Sequence, residues 1–292
     1  MSECMSPPAA ERQRSWARFL AWQRAEASDF LAQVRERVLS HAAIECGERV
    51  LDIGAGLGLL SWGALIRVGL EGQVIALDCE AECLAEVAEQ ARDQGVDGQI
   101  LSLRCNALLL PLVENSVDVC LTRSVLIYMA DKAAAAREMY RVLRPGGRVS
   151  CFEPINRRHR RFYEQLDLTP LGDELAQRIV AAEEALYASD DTMVNFDEHD
   201  LVAAFRNAGF VGVELVLEEA VHERTLSATE ARELLDIPGA AKRPTFRQRL
   251  ASYLTAEEIE SFRALLAEQL AGRAFSLCAP VAYGWGRKAC KP

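Results

Sequence analysis

The sequence predicts an α/β fold whose central sheet is mostly parallel, and three features support this prediction. Five strand-like runs alternate with four helical patterns between residues 49 and 153, which is typical of parallel strands joined by right-handed crossovers. A glycine-rich turn joins the first strand to its helix, as in doubly wound sheets that bind a nucleotide-like ligand. A last strand-like run, FSLCAPVAYGWGR, follows a long helical stretch and can return to the sheet.

The first strand and its turn lie in the stretch RVLDIGAGLGLL, with the strand at Arg49–Ile53. Three glycines follow at alternate positions: Gly54, Gly56 and Gly58. Glycine lets the backbone turn tightly and approach a ligand without a side chain in the way. A dinucleotide-binding loop would carry a small residue where Leu59 stands. Asp52 places an anion ahead of the turn, which suits a cationic ligand better than a pyrophosphate.

The second predicted strand, Gln73–Leu77, is followed by Asp78, twenty residues after Gly58. An acid at about this distance beyond a glycine loop commonly binds ribose hydroxyls, and its two oxygens match a vicinal diol. Asp78 could also cap the next helix, and the two roles are compatible. We predict that Asp78 binds a ribose.

The remaining elements follow from apolar periodicity and from Gly and Pro positions. A helix is predicted over 11–40, broken near Ala27 and Ser28, with Trp16, Phe19 and Trp22 on the apolar face or lining a pocket. Further helices are predicted over 80–92, 131–143, 197–208 and 256–270, and strands over 99–104, 117–122, 149–152, 210–217 and 275–287. The Pro145-Gly146-Gly147 turn is expected to end a helix and reverse the chain.

Two further stretches, PLVENSVD from Pro111 to Asp118 and YRVLRPGGR from Tyr140 to Arg148, complete a pattern with the glycine loop. Over about residues 46–156 the chain resembles the class I S-adenosylmethionine (SAM)-dependent methyltransferases, in particular the small-molecule, ubiquinone/menaquinone-biosynthesis-like domain. The resemblance implies a Rossmann-like, seven-stranded, mostly parallel sheet with an antiparallel last strand, helices on both faces and a helical cap. It implies four segments: an N-terminal helical segment (1–45), a SAM-binding core (46–156), a helical cap (157–196) and the remaining core (197–292) with an insertion at about 218–274.

The resemblance also implies transfer of a methyl group from SAM to a small-molecule oxygen, nitrogen or carbon, which yields S-adenosylhomocysteine. Asn106 stands where the family usually has an acid that meets the adenine amino group, and its side-chain carbonyl can accept the same hydrogen bond. The residues expected to bind the cofactor are Asp52, Gly54, Ala55, Gly56, Gly58, Asp78, Cys79, Asn106, Ala107 and Arg123.

Catalytic groups are harder to assign, because methyl transfer needs a base only if the acceptor must lose a proton. The catalytic candidates are His159, Glu153 and Tyr128, with His159 the best general base because an imidazole titrates near neutral pH. Arg123, Asn156, Arg157 and Tyr163 are candidates for substrate contacts. The cationic run Arg157–Arg161 could attract an acidic substrate or could be a solvated helix start.

The net charge and the cysteine content make some partners, metal sites and cellular locations less favourable. The 292 residues carry a net charge of −10, which argues against non-specific nucleic-acid binding. The nine cysteines include no C-x-x-C pair, so no metal site is expected and reduced thiols favour the cytoplasm. The sequence shows neither a signal peptide nor a membrane span. The exposed face of the N-terminal helix offers an interface for a homodimer, although amphipathicity alone does not establish one.

Three alternatives stay open. The chain could bind SAM without catalysis, because the family needs no fixed catalytic residue. An NAD-dependent oxidoreductase is disfavoured by Leu59 and by the Pro145-Gly146-Gly147 turn. A nucleic-acid or protein methyltransferase is disfavoured by the acidic charge and by Arg123-Ser124-Val125-Leu126, which stands where an N/D-P-P-Y-type tetrapeptide would follow strand four.

Overall fold

The computed structural model describes residues 29–188, 190–236 and 244–290. The expectations for Trp16, Phe19 and Trp22, and for the start of the N-terminal helix, lie outside these residues. The described part of that helix, α1, spans Asp29–Ala42. Its apolar face is buried through Val34, Val38 and Leu39.

The described chain forms a seven-stranded sheet. Its strands are β1 Arg49–Ile53, β2 Gln73–Asp78, β3 Ile100–Arg104, β4 Val117–Arg123, β5 Leu143–Pro154, β6 Val211–Thr225 and β7 Ala274–Arg287. Their order in the sheet is β3-β2-β1-β4-β5-β7-β6. The pairs β1·β2, β2·β3, β1·β4 and β4·β5 are parallel.

Strand β7 runs antiparallel to β5. The amide of Ile155 donates to the Pro280 carbonyl, whereas the Gly146 amide donates to Lys288 and the Lys288 amide to Gly147. Residue numbers therefore rise along β5 as they fall along β7. The predicted fold class, a Rossmann-like, mostly parallel sheet with an antiparallel last strand, is confirmed.

The helices begin and end close to the predicted positions. The helices after α1 are α2 Leu59–Val68, α3 Ala81–Gln94, α4 Lys132–Val142, α5 Asp173–Tyr187, α6 Glu198–Ala208, α7 Ala228–Glu233, α8 Phe246–Leu250 and α9 Ala256–Leu270. The Asp131 side chain accepts a hydrogen bond from the Ala134 amide and caps α4. Capping boxes begin α7, α8 and α9, and they satisfy amides that a helix start leaves unpaired.

The Pro145-Gly146-Gly147 segment differs from its predicted role as a simple turn before a strand at residue 149. Strand β5 already begins at Leu143, and its pairing with β4 shifts between Val117 and Val119. A Cβ atom on Gly147 would lie 2.8 Å from the Arg144 carbonyl oxygen and 2.9 Å from that of Asp118. The segment is thus an irregular part of the β4–β5 pairing, and any side chain larger than that of glycine at position 147 would clash with the two carbonyl oxygens.

The chain divides into two compact units. The first comprises the described parts of Met1–Glu153, Glu198–Leu217 and Ala282–Pro292, and the second those of Pro154–Asp197 and Glu218–Val281. The first unit has its core in the parallel strands β1, β2, β4 and β5, most of whose residues are buried, whereas β3 is buried only at Ile100. The second has a helical core of its own, formed by buried residues such as Ile179, Leu186, Leu235, Phe262 and Leu266.

Candidate functional site

The glycine loop after β1 has a backbone conformation that favours glycine. Gly54 and Gly56 have φ angles of 70° and 52°, in the left-handed region that other residues rarely adopt. A Cβ atom on Gly54 would also lie 2.2 Å from Cγ2 of Val125, whereas one on Gly56 would meet no atom within 4 Å. The loop is therefore packed against Val125, two residues beyond the end of β4, and is open at Gly56.

Asp78 lies at the end of β2, beside this loop. Its Oδ2 atom accepts a hydrogen bond from the Gly56 amide at 2.8 Å, and its Oδ1 atom accepts one from the Glu80 amide at 2.9 Å. Each carboxylate oxygen has a further lone pair for a hydroxyl donor. The structure thus brings together Asp78 and the glycine loop, two features that the sequence singled out independently.

Asp52 is buried at 1% exposure, and its Oδ2 atom accepts a hydrogen bond from the Ser61 hydroxyl at 2.6 Å. Burial raises the pKa of Asp52 to about 6, against the opposing effects of the Ser61 hydrogen bonds and the Arg123 charge. The carboxyl group therefore links β1 to α2. Its contact with a cofactor stays a prediction, and sequence reasoning did not find Ser61, whose only signal is its place in the first turn of α2.

Glu153 is fully buried at the end of β5. Its Oε1 atom accepts hydrogen bonds from the amides of Val125 at 3.0 Å and Leu126 at 2.9 Å, and Oε2 accepts one from Ile127 at 3.1 Å. Burial raises the pKa of Glu153 to about 7, while these hydrogen bonds and the Lys132 charge oppose the rise. Three backbone amides thus hold this carboxyl group, which supports a positioning role, and the catalytic role of Glu153 stays a prediction.

The segment that Glu153 holds forms a 3₁₀ turn over Leu126–Tyr128. Leu126 and Ile127 are buried, whereas the Tyr128 side chain is 48% exposed. The turn therefore presents Tyr128 to solvent at the end of β4, where ligands of such sheets bind. Sequence reasoning selected Tyr128 but did not find the Glu153 contacts, which join residues more than 25 positions apart.

The other predicted cofactor residues lie at the same carboxyl ends of the strands. Ala55 is buried, and its amide donates to the Leu77 carbonyl at 2.9 Å. The Cys79 carbonyl accepts from Arg104, and Oδ1 of Asn106 accepts from the Leu108 amide at 2.9 Å. Ala107 is buried and Arg123 half-buried at the end of β4. Asn106 therefore has one remaining lone pair on its carbonyl, and its hydrogen bond to an adenine amino group stays a prediction.

The remaining candidates, His159, Arg157, Asn156 and Tyr163, belong to the second unit. Burial lowers the pKa of His159, and its Nδ1 atom lies 3.2 Å from the Arg160 carbonyl oxygen. The Tyr163 hydroxyl donates to Glu184 at 2.8 Å, an interaction that raises the pKa of Tyr163 to about 12. Tyr163 is thus held as a neutral hydrogen-bond donor.

A buried acid of the second unit escaped sequence reasoning. Glu183 on α5 is fully buried, its Oε2 atom accepts from the Tyr163 amide at 3.1 Å, and its Oε1 atom has no hydrogen-bond partner in the described structure. Only the apolar spacing of Ile179, Ala182 and Leu186 could have placed Glu183 on the buried face of its helix.

The residues that the structure describes contain no group of three His, Cys, Asp or Glu side chains that could hold a metal ion. None of the helices described is long and apolar enough to cross a membrane.

Comparisons with known proteins agree with this geometry. A family model described as the ubiE/COQ5 methyltransferase family matches residues 32–218. The "Ubiquinone/menaquinone biosynthesis C-methyltransferase UbiE" of Cellvibrio japonicus (strain Ueda107) is 32% identical over 178 residues, 59% of this chain and 71% of that protein. The protein of the same description from Yersinia pestis (strain Pestoides F) is 30% identical over 199 residues, which are 64% of this chain and 77% of the relative.

Solved structures share the fold at low sequence identity. A putative methyltransferase from Bacillus halodurans C-125 has a TM-score of 0.53 at 16% identity, covering 87% of this chain and 98% of its own. The [4+2]-cyclase SpnF has a TM-score of 0.51 at 18% identity, covering 89% and 81%. Because one of these neighbours is a cyclase, the likeness of structure indicates the fold and not the reaction.

Proposed function

Because this chain belongs to the ubiE/COQ5 methyltransferase family, we propose that its glycine loop and Asp78 hold SAM and that the acceptor atom is a carbon. The chain is a SAM-dependent methyltransferase that acts on a small molecule. Bound SAM supplies an activated methyl group on a sulfonium, and the protein supplies position and electrostatics.

The observation that carries the cofactor assignment is the hydrogen bond between Asp78 and the Gly56 amide. This hydrogen bond keeps the Asp78 carboxylate beside the glycine loop, where its two oxygens would accept hydrogen bonds from the ribose hydroxyls. The space next to Gly56 is empty and would admit the ligand. Asn106 would accept from the adenine amino group. The remaining residues proposed to line the cofactor are Asp52, Gly54, Ala55, Gly58, Cys79, Ala107 and Arg123.

The methyl acceptor must be aligned with the methyl group of SAM, and a carbon acceptor must lose one proton. Holding nucleophile and methyl group in line contributes several kcal/mol, about 7 or more at the upper end. Glu153 keeps the Leu126–Tyr128 turn in place, and Tyr128 contacts the acceptor from this turn. A carbon acceptor loses a proton after attack. The general-base role of His159 stays a prediction, and burial lowers its pKa, which favours the neutral ring that can accept a proton.

The carbon acceptor is proposed from the relatives, which are described as C-methyltransferases of ubiquinone and menaquinone biosynthesis. A ring carbon beside a hydroxyl group is nucleophilic enough to accept a methyl group, so we propose a quinol ring as the acceptor. The family match ends at residue 218, and residues 219–281 lie outside it. This stretch supplies much of the second unit and is where a difference in acceptor from the relatives would arise.

The test uses SAM labelled with ¹³C in its methyl group and benzoquinols and naphthoquinols that lack one ring methyl. We expect a product whose labelled methyl group is bonded to carbon, as identified by NMR, and much less product from Asp78→Ala at a SAM concentration that does not saturate the variant. A methyl group bonded to oxygen or nitrogen would contradict the carbon assignment. Titration calorimetry that finds SAM bound without turnover of any acceptor would favour a binding protein without catalysis, and binding of NADH in place of SAM would favour an oxidoreductase.

We also propose that the protein acts in the cytoplasm and has no nucleic-acid partner. Its net charge of −10 supports the second of these statements. A homodimer stays a prediction that sedimentation velocity can test.

A further inference from the structure

The cationic run Arg157–Arg161 lines a cavity of about 390 Å³ within the second unit. A short 3₁₀ turn spans Asn156–Arg158, and the chain then continues in an extended conformation at His159. The cavity is lined by Arg157, Arg158, His159, Arg160, Arg161, Glu164, Glu184, Glu219 and Pro280. Its volume falls in the range of small-molecule sites.

Arg161 organises this segment. Its guanidinium donates hydrogen bonds to the carbonyls of Arg157 and His159 and to the Glu184 carboxylate, the last at 3.2 Å. The same guanidinium lies over the Tyr187 ring, 3.7 Å from its centroid. The run is therefore wrapped around the Arg161 side chain, which α5 holds through Glu184 and Tyr187, and it is not an unstructured solvated face.

Arg157 and Arg160 have a different position. Both side chains are exposed and line the cavity, and neither guanidinium has a hydrogen bond or ion pair with another described residue. Arg160 also lines a second cavity of about 390 Å³, together with Glu164 and Arg273. Two guanidiniums thus face the cavity with their donors available to a ligand.

The charge of the lining selects among anions. Four guanidiniums and three carboxylates line the cavity, and burial lowers the pKa of His159, which disfavours a charge on its ring. The lining therefore has a net charge of +1, which balances a monoanion and would leave a phosphate or diphosphate with excess negative charge near three carboxylates. Guanidinium groups match the planar geometry of a carboxylate with paired donors.

We propose that this cavity binds a small organic monocarboxylate through Arg157 and Arg160, with Arg161 as the positioning residue. Glu219 and Pro280 of the lining lie beyond residue 218, where the family match ends. The proposal does not rest on methyl transfer, because benzoate binding can be measured without SAM.

The test follows the arginine Nε–H signals of the ¹⁵N-labelled full chain during titration with sodium benzoate, with sodium chloride at equal ionic strength as the reference. We expect saturable shifts of a small set of these signals. The double variant Arg157→Gln/Arg160→Gln should weaken benzoate binding about tenfold or more. Arg232→Gln, an exposed arginine on α7 of the same unit, removes the same kind of charge and should bind benzoate like the wild type.

Arg161→Lys separates an organised site from simple charge attraction. Lysine keeps the charge but cannot reach both carbonyls and Glu184 with a planar fork, so we expect benzoate binding to weaken while the net charge is unchanged. Thermal unfolding of every variant checks that the fold is intact. The proposal is overturned if the benzoate titration does not saturate or if phosphate binds more tightly than benzoate. It is also overturned if Arg232→Gln loses as much benzoate affinity as the double variant, or if a folded Arg161→Lys binds benzoate like the wild type.

Discussion

The Oδ2 atom of Asp78 accepts a hydrogen bond from the backbone amide of Gly56 at 2.8 Å, across 22 residues of sequence. This contact joins the end of β2 to the turn that follows β1, two strands that pair in parallel. A ligand held by the glycine loop is therefore beside a carboxylate without any rearrangement of the backbone. Because Asp78 acts on both the loop and the proposed ribose, its removal should be costly for SAM binding.

Replacing Asp78 by alanine should weaken SAM binding by about a hundredfold, because the ribose loses its acceptor and the Gly56 amide loses its partner. Asp78→Asn should weaken binding less, since its carbonyl can still accept one of these hydrogen bonds. Titration calorimetry with SAM and S-adenosylhomocysteine measures both effects. Asp93→Ala, an exposed acid on α3, is the matched control, and unchanged SAM affinity in a folded Asp78→Ala would remove the ribose assignment.

Replacing Gly54 by alanine should disturb the loop in two ways, through a steric clash and through backbone strain. The new Cβ atom would lie 2.2 Å from Cγ2 of Val125 at a φ of 70°, so overpacking and backbone strain together should cost about 2–4 kcal/mol. Adding Val125→Ala removes the closest atom but leaves the strained φ, so it should restore only part of the stability. Calorimetric unfolding of the two variants measures this, and equal stability of Gly54→Ala and wild type would contradict the packing described.

Replacing Glu153 by glutamine should destabilise the Leu126–Tyr128 turn by about 1–3 kcal/mol, because an amide nitrogen cannot accept a backbone N–H. We expect kcat to fall more than the affinity for SAM, since the variant disturbs the segment carrying Tyr128 and not the glycine loop. Steady-state kinetics with SAM binding measured separately resolves the two. Glu82→Gln, on the surface of α3, serves as control, and a loss of SAM affinity alone would argue against a positioning role.

The order of strands and helices in the core could be predicted because alternation of apolar runs and glycine turns is a local pattern. The extent of β6 could not, since the sequence predicts its end at Leu217 and the strand continues to Thr225. Contacts such as Ser61 with Asp52, or Val125 with Gly54, depend on side chains that meet only after folding. The same holds for Arg161, whose organising role depends on Tyr187 and Glu184, more than twenty positions away.

The buried acid Glu183 should give the second unit a pH-dependent stability. Burial raises its pKa to about 7, although hydrogen bonds from the Tyr163 and Phe162 amides and the Arg161 charge oppose the rise. An unfolded chain returns this carboxyl to its ordinary pKa of 4.5, so the folded state binds the proton more tightly. The stabilisation from protonated Glu183 is therefore present below about pH 4.5 and is lost as the pH rises through about 7.

Glutamine at position 183 does not titrate, so Glu183→Gln should show a smaller fall in unfolding temperature between about pH 5 and about pH 8 than the wild type. Asp52 and Glu153 have raised pKa values in both proteins, and their contribution cancels when the two curves are compared. Differential scanning calorimetry across this range makes the measurement, with Glu174→Gln, an exposed acid on the same helix, as control. If the unfolding temperatures of Glu183→Gln and wild type change in parallel with pH, Glu183 has an ordinary pKa. The Oε1 atom, which has no partner in the described structure, would then be in contact with solvent.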